Sequence, residues 1–119
     1  MGGEELRGRT KQFALRIIRL FTVLPKTTES QVIGKQLLRS GTSAAANYRE
    51  ACRARSDAEF ISKLGIVEQE LDETALWLEL LTETGIVEDG RLRPLIAETD
   101  ELLKIVVSSI KRVKAHRKG

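Results

Sequence analysis

The sequence predicts an all-α protein, an up-down-up-down antiparallel four-helix bundle that occupies residues 1–119 as a single domain. Its 119 residues are enough for one core, and 41% of them are hydrophobic, as in ordinary globular domains. Only two prolines and 4% aromatic residues favour helices that pack through aliphatic side chains. Four amphipathic segments joined by short connections predict helices that lie antiparallel to their neighbours.

The first helix is predicted from Arg9 to Leu24. Residues 1–8 contain three glycines and mixed charge, and we expect them to form a frayed leader. From Arg9 onwards apolar positions recur at helical spacing: Phe13, Ile17, Leu20 and Leu24. Pro25 ends the helix because it has no N–H to donate and disfavours helix in the residue before it.

The second helix is predicted to begin at Thr27 or Thr28, whose hydroxyl groups suit the capping position. Its core face steps by four and three residues along Ile33, Leu37, Ser40, Ala44, Asn47 and Ala51. Gly34 and Gly41 each cost a helix about 1 kcal/mol relative to alanine, so tertiary contacts must hold this segment. We expect the small residues to let a neighbouring helix approach closely, and Asn47 to donate a hydrogen bond across helices.

The third helix carries the strongest periodic signal. Ser56 and Glu59 form a capping box at its start, and Gly85 is a natural C-cap at its end. Between them runs a nearly unbroken seven-residue repeat: Phe60, Leu64, Val67, Leu71, Thr74, Leu78 and Leu81. Further apolar residues widen this face, which indicates contact with two bundle neighbours or with another subunit.

The fourth helix is predicted to follow a turn at Glu88–Arg91, with Pro94 in its first turn. The same spacing then continues through Leu95, Leu102, Val106, Ser109 and Val113. We expect residues 115–119 to form a second frayed tail.

Several classes of function are excluded by what the sequence lacks. One cysteine and one histidine allow neither an intrachain disulfide nor a Cys/His zinc cluster, so Cys52 is interpreted as a small packed residue. The sequence has no glycine-rich phosphate loop, no Glu-x-x-His pair and no nucleophile beside a base. We therefore expect no enzyme, no cofactor, no metal site and no small-molecule substrate. With no signal peptide and no membrane span, we expect a cytoplasmic protein that does not contact the membrane.

Charge is segregated along the chain, although the net charge is only +3. No acidic residue lies between Glu5 and Glu29, whereas the predicted third helix is strongly acidic. On the second helix four cations share the face opposite the core, and two cations of the first helix could widen that face. The candidate nucleic-acid-binding residues are Lys35, Arg39, Arg49, Arg53, Arg16 and Arg19. This stripe either binds a polyanion, or is solvated or paired with the acidic helix of a neighbouring subunit.

Aromatic residues are scarce beside the stripe. Tyr48 is the only candidate for stacking on a base, and we expect it to be half-buried. Stacking of single-stranded bases on aromatic rings is therefore not supported.

Three stretches carry a resemblance to a known family: VIGKQLLRSGTSAAANYREACRARS at 32–56, EFISKLGIV at 59–67 and ETALWLELL at 73–81. Through them the chain resembles the bacterial four-helix bundle family of 23S rRNA intervening-sequence proteins, from Phe13 to about Lys111. Members are named for reading frames inside insertions of large-subunit rRNA genes. The resemblance implies an antiparallel bundle assembled as a ring-like homopentamer.

A related branch is the accessory variability determinant of diversity-generating retroelements, a basic pentamer that binds nucleic acid and partners a reverse transcriptase. The modest net charge of +3 departs from that branch. We therefore expect a non-enzymatic homopentamer that binds RNA, or another nucleic acid, through the six candidate residues. The alternative is a structural or adaptor protein that docks a protein partner, such as an accessory subunit of a reverse transcriptase.

Overall fold

The computed structural model describes residues 3–118, and these form four helices. They are α1 (Gly3–Val23), α2 (Thr28–Ala51), α3 (Asp57–Glu83) and α4 (Asp89–Lys118). Helix accounts for 88% of the described residues, which confirms the all-α prediction. Among these helices none is both long enough and apolar enough to cross a membrane.

Neighbouring helices run in opposite directions. For α1 and α2, the start of one helix contacts the end of the other: Gly3 lies beside Cys52, and Phe21 lies beside Gly34. The same holds for α2 and α3, where Glu50 contacts Lys63 and Arg39 contacts Glu73. The described part of the chain is a rod of 51 × 20 × 20 Å. A helix of about 27 residues is about 40 Å long, so the helices run along the rod.

The core is one cluster of buried apolar side chains to which all four helices contribute. The seven-residue repeat of α3 lies at its centre: Leu64, Val67, Leu71, Thr74, Leu78 and Leu81 are completely buried, and Phe60 is half-buried. The most extensive helix contact is between α2 and α3, and the least extensive is between α1 and α4. Between α1 and α4, Arg9 donates two hydrogen bonds to the Glu98 carboxylate, at 2.6 and 3.2 Å.

The helix α1 starts six residues before the predicted Arg9. Residues 3–8 are helical, so the predicted leader is wrong for that part, while Met1 and Gly2 lie outside the described residues. The reason is tertiary: Leu6 is only 3% exposed and continues the apolar stripe one seven-residue repeat before Phe13. Burial of Leu6 and Thr10 outweighs the poor helix propensity of Gly8.

The helix α4 also starts earlier than predicted, at Asp89, so that Pro94 lies inside the helix rather than in its first turn. Leu92, which the earlier start brings into the helix, is 3% exposed, and its burial offsets the hydrogen bond that Pro94 cannot donate. At the other end α4 continues to Lys118, through most of the predicted tail, and Gly119 lies outside the described residues.

The predicted caps form, with one change. The Thr27 hydroxyl accepts from the Ser30 N–H at 3.4 Å, and the Ser56 hydroxyl accepts from the Glu59 N–H at 3.1 Å. The Glu59 carboxylate, however, accepts from the N–H of Arg55 rather than from that of Ser56, at 3.3 Å. Gly85 ends α3 with a φ of +75°, a conformation that favours glycine.

The core face of α2 is rotated from its predicted position, and this changes two polar expectations. Tyr48 is buried, at 5% exposure, whereas Asn47 is half-buried and donates within its own helix to the Ser43 carbonyl at 2.9 Å. The predicted cross-helix bond from Asn47 is therefore wrong. A buried polar contact between α2 and α3 is made instead by the Ser40 and Thr74 hydroxyls, which share a 2.8 Å hydrogen bond.

The two glycines of α2 face α1 at close range. A Cβ at Gly41 would lie 2.8 Å from Cγ1 of the fully buried Ile17, and one at Gly34 would lie 2.7 Å from Cδ1 of Leu24. These distances are too short for real side chains. The expected close approach of a neighbouring helix is thus confirmed, and the neighbour is α1.

We predict opposite effects for two glycine-to-alanine substitutions. Gly41→Ala should lower the free energy of unfolding by about 1–2 kcal/mol, because the stiff, β-branched Ile17 cannot move aside without disturbing the core. Gly65→Ala, in the middle of α3 with no atom within 4 Å of the added Cβ, should raise it by up to about 1 kcal/mol through helix propensity. Urea unfolding followed by circular dichroism measures both, and an unchanged or higher stability for Gly41→Ala would contradict the packing described.

Candidate nucleic-acid interface

The six predicted residues do not form one stripe. Arg49 and Arg53 lie at the α1 side of α2, whereas Arg39 lies against α3. Lys35 is exposed one turn before Arg39. The remaining two, Arg16 and Arg19, line a cavity of about 560 Å³ at the opposite end of the bundle, between α1 and the start of α4.

Arg39 is fully engaged in ion pairs within its own chain. Its Nη2 donates to Glu73 Oε2 at 2.6 Å and its Nη1 donates to Glu70 Oε2 at 3.1 Å. These contacts, with that to Glu73 the strongest, raise the pKa of the Arg39 guanidinium. The neighbouring Glu70 carboxyl and then Arg39 lower the pKa of Glu73. The pairing of basic and acidic helices, predicted between subunits as one alternative, therefore occurs within one chain at Arg39.

Arg49 and Arg53 meet two cations of α1 instead. Together with Arg7 and Lys11 they line a groove of about 410 Å³ between α1 and α2, here called the basic groove. Its floor is made of small and aliphatic side chains: Ala14, Leu15, Ala45 and Ala46. The short alanine side chains leave the groove open between its charged walls.

The helical geometry explains why these four cations converge. Arg7 and Lys11 are four residues apart on α1 and share one helix face, and Arg49 lies in the last turn of α2. Arg53 lies in the turn that follows the C-cap, Cys52, where its N–H donates to the Glu50 carbonyl at 3.0 Å. The antiparallel register of α1 and α2 then places the two pairs beside each other. Sequence reasoning found Arg49 and Arg53 but missed Arg7 and Lys11, since Arg7 fell in the predicted leader.

The electrostatic balance of the basic groove is positive. Within residues 3–117, whose side chains are described, none of the four cations lies within 4.0 Å of a carboxylate. The one acid at its edge, Glu50, accepts a hydrogen bond from Lys63 at 2.8 Å and is neutralised there. The groove is therefore suited to a polyanion.

Arg16 and Arg19 cannot extend this groove. Arg16 points about 140° away from the groove residue Lys11 around α1, and Arg19 lies about 12 Å further along the helix than Lys11. Their cavity also contains Arg91 and the carboxylate of Glu88. They form a separate, partly compensated basic site.

Neither Tyr48 nor Cys52 offers a reactive or stacking group to this surface. Burial, and then the neighbouring Cys52, raise the pKa of the Tyr48 phenol, which is enclosed rather than half-buried as predicted. Cys52 is exposed at the end of α2, so its interpretation as a packed residue is wrong. Its position after the last buried residue of the helix, Ala51, explains the difference.

Comparisons with known proteins agree in family and fold. A family model described as 23S rRNA-intervening sequence protein matches residues 5–108. A crystal structure of a protein with unknown function from the S23 ribosomal protein family, from Bacteroides thetaiotaomicron VPI-5482, superposes with a TM-score of 0.86 at 39% identity. That match covers 93% of this chain and 99% of the other. No curated protein matches the chain. The family match, over residues 5–108, reaches into all four helices and includes the positions that line the basic groove.

We predict that Arg39 acts in stability rather than in ligand binding. Arg39→Gln should lower the melting temperature by roughly 3 °C at pH 7, because Glu70, whose side chain is only 12% exposed, loses its partner. The pKa of Glu73 is lowered from 4.5, so its contribution is present above that pH and is lost as the pH falls through the folded value. The difference between the variant and the wild type should therefore shrink below pH 4.5 in thermal melts recorded from pH 7 to pH 3.

The matched control is Arg93→Gln, which breaks an ion pair with Asp89 whose side chains are 75% and 64% exposed. This substitution should change the melting temperature by less than Arg39→Gln does, because exposed pairs contribute little. A pH-independent difference for Arg39→Gln would show that the ion pairs are not its cause.

Proposed function

Because the chain belongs to the family of 23S rRNA-intervening sequence proteins, we propose that it is a non-enzymatic, homopentameric, cytoplasmic protein that binds RNA through the basic groove. The observation that carries the proposal is the convergence of four cations without carboxylate partners: Arg7, Lys11, Arg49 and Arg53. Cations in such an arrangement neutralise backbone phosphates and release counterions. The proposed ligand is a single-stranded stretch of ribosomal RNA or of its precursor, the RNA to which the family name refers.

Binding in this groove is largely independent of sequence. Sequence is read by side chains that hydrogen-bond to base edges, whereas aromatic rings stack on base faces. The basic groove has no amide or aromatic side chain, and its one carboxylate, that of Glu50, is engaged by Lys63, so its cations are assigned to phosphates. Arg7 and Lys11 are separated by about 6 Å along α1, so each groove covers a short stretch of the RNA backbone.

The pentameric part of the proposal draws support from apolar side chains on the outside of the bundle. Ile66 and Leu76 on α3 are 36% and 46% exposed, and Ile18 on α1 is 40% exposed. Contact between subunits would cover such side chains, which are unfavourable in water. A ring of five would also present five basic grooves to one RNA, and linked weak sites bind more tightly than each alone.

The second candidate function is that of an adaptor that docks a protein, such as an accessory subunit of a reverse transcriptase. The same exposed apolar side chains on α3 favour it, since they suit a protein partner better than a nucleic acid. The pairing of Arg39 with acidic residues of α3 also removes one cation from the surface available to phosphates. The two functions differ in what the groove arginines do.

Salt dependence tests the RNA-binding proposal. Four phosphate contacts predict that the logarithm of the affinity for single-stranded RNA falls with that of salt with a slope of about −2.8 per groove. Affinity should then fall about 50-fold between 50 and 200 mM salt in fluorescence anisotropy titrations. Arg49→Gln should weaken binding and make the slope less negative by about 0.7, whereas the exposed Lys104→Gln on α4 should change neither.

Flat titration curves at 50 mM salt would overturn RNA binding. An affinity that weakens equally for Arg49→Gln and Lys104→Gln would place the contact outside the basic groove. If the oligomer is lost when both Arg49 and Arg53 are replaced with glutamine, the adaptor hypothesis is favoured, in which these cations form contacts between subunits.

The oligomeric state is tested by light scattering after size exclusion. A pentamer of 13.3 kDa subunits has a mass of about 67 kDa, and the wild type should elute at that mass at micromolar concentration. Leu76→Glu should shift it towards 13.3 kDa while the helical circular dichroism persists, because a charge then replaces an apolar contact. A monomeric wild type would remove the pentamer from the proposal.

A further inference from the structure

A cavity of about 770 Å³ lies at the end of the bundle where three segments meet. The start of α1, the corner between α2 and α3, and the last part of α4 form its walls. This end cavity has the size of a small-molecule or nucleotide site, which typically measures 300–1,000 Å³.

Three arginines from distant parts of the sequence line the end cavity: Arg7, Arg55 and Arg112. Within the part of the chain whose side chains are described, none of them is within 4.0 Å of a carboxylate. The side chain of Arg112 makes only a long contact of 3.4 Å with the Ser109 hydroxyl. Two carboxylates, of Glu4 and Asp57, also line the cavity, so the cations are in excess.

Part of the remaining wall is apolar and belongs to the core, while Cys52 and the hydroxyl groups of Ser56 and Ser109 add polar groups. Leu6 and Ala51 are 3% and 1% exposed, and Tyr48 is 5% exposed. The half-buried ring of Phe60 and the side chain of Val113 complete the wall. A ligand with an anionic group and a flat, weakly polar body matches this combination.

The end cavity adjoins the basic groove, since Arg7 lines both. A strand that follows the groove past Arg7 reaches a cavity whose inner wall is the core of the bundle. A terminal phosphomonoester carries up to two negative charges and three terminal oxygens, whereas an internal phosphodiester carries one charge. Three guanidinium groups suit the monoester, because each can donate paired hydrogen bonds to phosphate oxygens.

We propose that the end cavity binds the terminal nucleotide of an RNA strand through its phosphomonoester, held by Arg7, Arg55 and Arg112. The inference rests on the proposed RNA-binding function and adds to it a preference for phosphorylated ends. The phosphomonoester can stand at the 5′ or the 3′ end of the strand. Both ends present the same chemistry to the arginines.

The test compares three RNA strands of one sequence, each with an internal fluorophore, by anisotropy at a fixed 100 mM salt. One carries a 5′-phosphate, one a 3′-phosphate and one hydroxyl groups at both ends. One phosphorylated strand should bind the wild type about tenfold more tightly than the hydroxyl-ended strand, the effect of one further charge-assisted hydrogen bond. Which phosphorylated strand it is identifies the end that enters the cavity.

Variants separate the end cavity from the basic groove. Arg112 lines the end cavity and not the basic groove, so Arg112→Gln should abolish the preference for a phosphorylated end and leave the affinity for the hydroxyl-ended strand unchanged. Arg49 lines the basic groove and not the end cavity, so Arg49→Gln should lower the affinity for all three strands by the same factor. Lys114→Gln, an exposed cation two residues from Arg112, is the control and should change nothing. Circular dichroism melts verify that each variant is folded.

Equal affinity of the wild type for all three strands would overturn the inference and leave RNA binding intact. If no strand binds, the proposed function fails, and calorimetric titration with adenosine monophosphate, in its 5′ and 3′ forms, tests the cavity alone. Binding of either form that Arg112→Gln abolishes supports the cavity site, and absence of heat at millimolar nucleotide overturns it.

Discussion

The close approach of α1 to α2 is the constraint on which the rest of the molecule depends. Gly34 and Gly41 leave no room for a Cβ against Leu24 and Ile17, so the two helices interlock at fixed positions along their length. This contact sets the antiparallel register of α1 against α2. The register in turn brings Arg7 and Lys11 beside Arg49 and Arg53, although more than thirty residues separate the two pairs in sequence. A packing requirement in the core thus determines the charge pattern of the surface.

The helix α2 divides its charges between two neighbours. Towards α3, Arg39 forms ion pairs with Glu70 and Glu73, and these pairs support the most extensive helix contact of the fold. Towards α1, Arg49 and Arg53 face other cations, and no carboxylate of the side chains described in residues 3–117 lies within 4.0 Å of them. The acidic composition of α3 therefore has a structural role inside the chain, and the net charge of +3 understates how basic the α1–α2 side is.

The sequence predicts those features that depend on local periodicity or local capping. The seven-residue repeat of α3, the caps at Thr27 and Ser56, and the end at Gly85 all follow from residues close together in the chain. The early starts of α1 and α4 do not, because the burial of Leu6 and Leu92 is decided by other helices. The candidate site was partly predictable for the same reason: Arg49 and Arg53 are close together in the sequence, but their convergence with Arg7 and Lys11 depends on the tertiary register of α1 and α2.

The helices α1 and α4 make little contact with each other, so the bundle is open on that side. Because α1 contacts mainly α2, and α4 contacts mainly α3, the two outer helices can open from the central α2–α3 hairpin more easily than that hairpin can separate. Arg7 and Lys11 belong to one of these outer helices, so a ligand that bridges α1 and α2 would also hold α1 in place. Ligand binding in the basic groove and the rigidity of α1 would therefore be coupled.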